Sequence, residues 1–145
     1  SIGYPERDGE RTILERRVGR DDSIPTVEPL LDRETVLELR EVPETVRVED
    51  DLLDFVLDIT RKTRSRHQVE TGVSPRGTQR LLEACRAYAV VQGREYVVPD
   101  DVTRVAEPVL AHRLVLTPEA TVQEVVKEEI IQDIIEETSV PTVTA

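Results

Sequence analysis

The chain has 145 residues, 30 of them acidic against 19 basic, for a formal charge of -11, with one cysteine, one phenylalanine and no methionine or tryptophan. This size suits a single small domain with modest terminal extensions rather than two independent domains, and its core must be built from Leu, Val, Ile and Ala. The acidic field argues against broad contact with nucleic acid or anionic lipid, and the absence of a signal peptide or membrane-length apolar run leads us to expect a soluble, cytoplasmic protein.

In chain order, the pattern predicts mostly helix. Ser1 to Pro5 reads as an extended hinge, and Glu6 to Arg17 as a short helix with Ile13 and Leu14 turned inwards, weakened at its start by Gly9. Between Val18 and Pro29, two prolines and the run Gly19-Arg20-Asp21-Asp22-Ser23 indicate a loop. Asp32 can cap a helix that Pro43 stops near Val42. Val46 and Val48 alternate around Arg47 as a short extended piece. Asp50 then caps a helix whose Leu52, Leu53, Val56, Leu57 and Ile59 form a broad apolar face.

The next helix opens at Gly72-Val73-Ser74-Pro75-Arg76-Gly77. Ser74 is a good N-cap, and Pro75 suits the first helical position, where its missing N–H would have been unpaired anyway. Arg76 falls in the first turn, where the macrodipole favours negative charge, so the arginine goes against local preference by a few tenths of a kcal/mol. A bound phosphate would reverse that preference by drawing on the first-turn N–H groups and the guanidinium fork together. The competing reading is a solvated surface charge.

Leu81, Leu82, Cys85, Tyr88 and Ala89 place this helix at the centre of a bundle, and Gly93 ends it. Arg94 to Val98 is a brief extended link. Pro99 starts a helix with Asp100 and Asp101 in its favourable first turn and a stripe of Val102, Val105, Ala106, Val109 and Leu110. His112-Arg113 closes it as a structural pair. Thr117-Pro118-Glu119 opens a final helix from about Ala120 to Glu137, whose Val122, Val126, Ile130, Ile131, Ile134 and Ile135 need a partner, either the bundle itself or a neighbouring subunit or client. Ser139 to Ala145 reads as a mobile tail.

These segments, taken together and in order, resemble the C-terminal lid of MoxR-type AAA+ ATPases. The resemblance rests on Gly3-Tyr4-Pro5 with Glu10 and Ile13-Leu14, Thr60-Arg61 and Thr63-Arg64, Gly72 to Arg76, Gly93-Arg94, Pro99 to Val102, and Leu110 to Arg113. It implies an all-α fold, a small helical bundle of the AAA+ lid type with an additional C-terminal helix. The implied divisions are 1–5 as hinge from a core domain, 6–113 as lid, 114–137 as C-terminal amphipathic helix and 138–145 as flexible tail. It also implies that Arg76 is the sensor 2 arginine contacting the γ-phosphate of ATP, and that Tyr4, Pro5, Ser74, Arg76 and Gly77 border the nucleotide. ATP and Mg2+ would be held mainly by the core. Its partners would be that core, neighbouring subunits of a homo-oligomeric ring, and a client protein, in this family sometimes a von Willebrand A-domain protein. The chain departs from the family's commonest form at Val98, where Ser or Thr usually caps the helix; the lost cap costs about 1 kcal/mol if nothing else satisfies those N–H groups.

Other chemistry finds no support. A P-loop needs a Gly-rich turn ending in Gly-Lys-Ser/Thr, and neither of the two lysines, Lys62 and Lys127, follows a glycine. The chain is therefore not expected to hydrolyse ATP by itself, and we read it as a lid-containing piece of a longer polypeptide. No Cys or His spacing resembles a zinc site. Cys85 reads as a small buried hydrophobe, and His67 as a loop residue. Arg61, Lys62, Arg64, Arg66, Arg76, Arg80 and Arg86 concentrate positive charge mid-chain, either as a nucleotide-facing patch or as surface charges paired with nearby acids. Two alternatives stand beside the MoxR reading: a free-standing acidic helical module binding a protein through the Val122 to Ile135 face, and the lid of a related AAA+ group such as chelatase subunits.

Overall fold

The computed structural model describes residues 3–18 and 27–141. The chain divides into two compact units, Ser1–Asp32 and Arg33–Ala145. In the first, Tyr4 and Pro5 precede helix α1 (Arg7–Val18). No residue of α1 is buried, and Ile13 and Leu14 are 59% and 64% exposed. This corrects the expectation that they turn inwards: two adjacent apolar residues among ten others, mostly charged, give α1 no stripe wide enough to build a core. Most of the expected loop between Val18 and Pro29 lies outside the described residues, as do Ser1, Ile2 and the end of the expected tail.

The second unit is a helical bundle. It comprises α2 (Arg33–Glu41), a 3-10 turn (Val42–Thr45), α3 (Asp50–Lys62), β1 (Val69–Thr71), α4 (Pro75–Val91), α5 (Pro99–Leu110), a second 3-10 turn (Ala111–Arg113), β2 (Val115–Leu116), α6 (Pro118–Val122) and α7 (Lys127–Glu136). Helix α4 lies at the centre. Its Leu81, Cys85 and Ala89 meet Leu52 and Ile59 of α3 and Val102, Ala106 and Leu110 of α5 in one apolar core, all of them fully buried. Three-and-four spacing selects these residues in each helix. Leu57, by contrast, stays 45% exposed, because it stands a third of a turn away from the Leu52, Val56 and Ile59 line.

Three boundaries differ from expectation for identifiable reasons. Helix α3 is capped by Glu49 rather than Asp50, without a side-chain cap bond, and Asp50 and Asp51 serve as first-turn acids. At α5, the missing Ser or Thr cap is replaced from inside the helix: Asp101 Oδ2 accepts the Val98 N–H at 2.9 Å while the Asp101 N–H donates to the Val98 carbonyl at 3.0 Å. The expected single helix from Ala120 to Glu137 is two. Thr117 caps α6 by accepting the Ala120 N–H at 3.2 Å. The chain then turns at Glu124, which adopts φ 56°, with Val125 N–H donating to Ala120 O and Glu124 N–H to Thr121 O. That is a Schellman closure. Gly93, at φ 72°, closes α4 with the same pair of bonds, Arg94 N–H to Ala89 O and Gly93 N–H to Val90 O.

Two short pairings were not foreseen as such. β1 and β2 pair antiparallel, Val69 opposite Leu116 and Thr71 opposite Val115. The extended piece around Arg47 docks parallel to Tyr96, through Arg47 N–H to Glu95 O and Val97 N–H to Arg47 O. The apolar side of α7 closes the unit: Ile130, Ile131 and Ile134 are buried in the same core as α3 and α5. Among the described residues no helix is long and apolar enough to cross a membrane.

Candidate functional site

The start of α4 is organised as its sequence predicts. Ser74 is extended at the N-cap, its Oγ accepts the Gly77 N–H at 3.3 Å, and Pro75 occupies the first helical position. Arg76 follows, exposed, in a first turn that contains no acid. Gly77 is buried: a Cβ there would lie 2.5 Å from Val73 Cγ1, itself in the core, and 3.4 Å from Arg113 Cδ. The structure thus brings Ser74, Arg76 and Gly77 together, but the Gly77 amide is already bonded to Ser74, so its contribution is close packing of the turn. Tyr4 and Pro5 belong to the N-terminal unit, where Tyr4 is 99% exposed.

The mid-chain basic cluster resolves into two classes. Arg66 pairs with Glu137 at 2.7 Å, Arg86 with Glu44 at 2.9 Å, and Arg80 with Glu83 on its own helix. Lys62 Nζ donates to the Glu137 carbonyl at 2.7 Å and to Thr138 Oγ1 at 2.9 Å. These four are structural or internally neutralised. Arg64 is engaged through Nε alone, donating to the Val73 carbonyl at 2.8 Å. Arg61 and Arg76 make no hydrogen bond or ion pair with any described residue. The uncommitted guanidinium groups therefore concentrate at the C-terminal end of α3 and the first turn of α4, beside an open groove of about 440 Å³ lined by Leu53, Val56, Leu57, Leu82 and Pro75 with Arg61 and Arg64.

A second polar cluster lies between α4 and α5. Arg94 binds both oxygens of Asp101, one at 2.8 Å, and donates to the Tyr96 carbonyl; the hydrogen bond to Asp101 holds the guanidinium pKa further above its ordinary value. Cys85, fully buried nearby, has its thiol pushed up to about 12, chiefly by burial and secondarily by the Asp101 charge. A thiol so disfavoured as thiolate is a poor nucleophile. His67 is exposed, and His112 lies 3.2 Å from the Pro108 carbonyl through Nδ1 at the end of α5. Among the described residues no group of three His, Cys, Asp or Glu side chains is placed to hold a metal ion.

Comparison with known proteins decides the family. The model of the AAA lid domain matches residues 61–134, half of the chain, from the uncommitted Arg61 through α4 to α7. The chain belongs to the AAA lid domain family. Among relatives of this lid, the uncharacterized protein YeaC of Bacillus subtilis is 35% identical over 97% of the chain and 43% of that protein. Chaperone MoxR1 of Mycobacterium tuberculosis is 33% identical over 100% of the chain and 40% of that protein. The lid thus spans less than half the length of the curated relatives it matches, and it is of the MoxR type. A candidate ATPase from Cytophaga hutchinsonii shares the fold, with TM-score 0.83 and 24% identity over 97% of this chain and 45% of that one.

Sequence reasoning missed two side-chain roles. Thr63 accepts the Val73 N–H, and Asp101 replaces the Val98 cap. Both residues stood within the segments that carry the resemblance, but only their partners reveal what they do.

Proposed function

We propose that this MoxR-type lid closes over ATP held by a nucleotide-binding core, that Arg76 stabilises the γ-phosphate, and that hydrolysis is coupled through the lid to chaperone-like remodelling of partner proteins. The observation that carries the reading is the state of Arg76: a guanidinium in the first turn of a capped helix, exposed and without a counter-charge among the described residues, in a chain with eleven more acids than bases. Lys62, Arg66, Arg80 and Arg86 take partners, whereas Arg76, like Arg61, takes none among the described residues. An anion arriving from outside would meet the helix terminus and the fork together.

The chemistry belongs to the assembled site. ATP and Mg2+ would be bound by the core, and the arginine would act on charge that develops on the transferring phosphoryl group, where such residues matter by orders of magnitude in rate. Tyr4 and Pro5 would form the hinge through which loss of that phosphate becomes rotation of the lid. Ring neighbours and a client, of which a von Willebrand A-domain protein is one candidate, would receive that motion. In the full-length protein, Arg76→Ala should reduce ATP turnover by at least about tenfold; turnover at the parent rate would remove the assignment. The reading as a free-standing module that docks through the Val122 to Ile135 face is disfavoured, because Ile130, Ile131 and Ile134 are spent in the lid's own core.

A further inference from the structure

We propose that Thr63 and Arg64 are positioning residues for Arg76, holding the loop before α4 by both polar groups of one peptide-linked residue, Val73. The inference rests on the sensor reading of Arg76. Thr63, fully buried at the C-cap of α3, accepts the Val73 N–H through Oγ1 at 2.9 Å and donates the same hydroxyl to the Thr60 carbonyl at 2.6 Å. Arg64 donates Nε to the Val73 carbonyl at 2.8 Å. Val73 therefore has its donor and its acceptor fixed by consecutive residues of a different element.

Two further contacts remove the loop's remaining freedom. Gly72 lies so close to the α3 terminus that a Cβ would sit 2.8 Å from both N and Cα of Arg64, a distance that no side chain tolerates without moving backbone. One turn into α4, Thr78 Oγ1 meets Thr60 Oγ1 at 3.1 Å. The end of α3 and the start of α4 thus form one rigid corner, and Arg76 leaves that corner three residues after Val73. A local helix cap sets the direction of the first turn, but it leaves the whole turn free to shift relative to α3; the Thr63 and Arg64 bonds to Val73 set where it stands. Displacement of an otherwise intact arginine by a fraction of its side-chain length is enough to lose its contact with a phosphoryl group.

The test compares ATP turnover in the full-length protein, with thermal stability measured alongside. Thr63→Val keeps the shape and removes the acceptor. It should lower kcat about tenfold while KM for ATP stays within about twofold, and Thr63→Ser should restore kcat. Arg64→Lys, which keeps the charge and loses the Nε donor, should lower kcat in the same sense even if Thr63→Val folds poorly. Placed on an Arg76→Ala background, neither change should cost more than about twofold further, because both act through Arg76. Lys62→Ala, which breaks the neighbouring contacts to Glu137 and Thr138, should lower stability and leave kcat unchanged. Equal losses with and without Arg76, or parent kcat in Thr63→Val and Arg64→Lys when Arg76→Ala is impaired, would overturn the positioning role alone. Parent kcat in Arg76→Ala would instead overturn the sensor reading and this inference with it.

Discussion

Asp101 offers the sharpest test of how the lid is held together. It is 1% exposed and accepts three hydrogen bonds, two from Arg94 and one from the Val98 N–H at 2.9 Å. Truncation to alanine removes all three, but they differ in weight. The Arg94 side chain retains 24% exposure, so water recovers much of its loss and the ion pair is discounted to about 0–1 kcal/mol. The Val98 amide opens α5 and has no other cap, and leaving such a donor unsatisfied costs roughly 1–3 kcal/mol. Together these give a loss of about 2 kcal/mol, or roughly 6–12 °C in Tm for a domain of this size. Asp101→Asn keeps a carbonyl oxygen for the Val98 N–H but gives up the charge and replaces the oxygen that accepts from Arg94 Nη2 with an amide NH2, so it should lose about 1 kcal/mol. Urea unfolding of the two variants, read from the transition midpoint at constant m, separates the contributions. Equal losses in Ala and Asn variants would refute the capping argument and assign the whole effect to the ion pair.

Three further outcomes follow from the same geometry. Because the folded thiol of Cys85 titrates near 12 and an exposed one near 9.0, the folded state holds an extra proton between those values; its contribution is intact below pH 9 and falls above it by up to about 1.4 kcal/mol per pH unit. The stability gap between the parent and Cys85→Ala should therefore narrow from pH 9 to 11 in chemical denaturation, and a gap constant across that range would contradict the burial of the thiol. Glu124→Gly should stabilise the chain by roughly 0.5–1 kcal/mol, since a glutamate there sits at φ 56° where glycine is unstrained; a loss of stability would refute it. Gly93→Ala should destabilise by about 1 kcal/mol through backbone strain alone, because nothing lies within 4 Å of its added Cβ, and an unchanged Tm would show that the α4 closure tolerates an L side chain.

What was legible in the sequence is what neighbouring residues decide among themselves. Ser74 and Pro75 announce the α4 start, Thr117 and Pro118 the α6 start, and Gly93 the α4 stop, since cap, ring constraint and positive φ all act within one turn. The apolar lines of α3, α4 and α5 are legible for the same reason. The break at Glu124 was not, because a glutamate carries no signal for the left-handed conformation, which is enforced here by the Schellman bonds and the packing of α7. Nor could sequence spacing sort the cations: Lys62 and Arg66 find Glu137 and Thr138 more than 70 residues away, and Arg86 finds Glu44 across 42. That Arg76 has no partner among the described residues emerges only after those distant partners are assigned. Ile13 and Leu14 show the opposite error, since apolar identity alone does not provide a core to enter.

The proposed γ-phosphate contact of Arg76 is tested most directly by nucleotide discrimination. In the full-length protein, the affinities of parent and Arg76→Ala for ADP and for a non-hydrolysable ATP analogue are compared by calorimetry with Mg2+ present. A contact made only to the terminal phosphate predicts that Arg76→Ala weakens the triphosphate by about tenfold, the loss of a charge-assisted hydrogen bond, and leaves ADP unchanged. Equal affinities for the triphosphate in parent and variant, or equal weakening of both nucleotides, would contradict it.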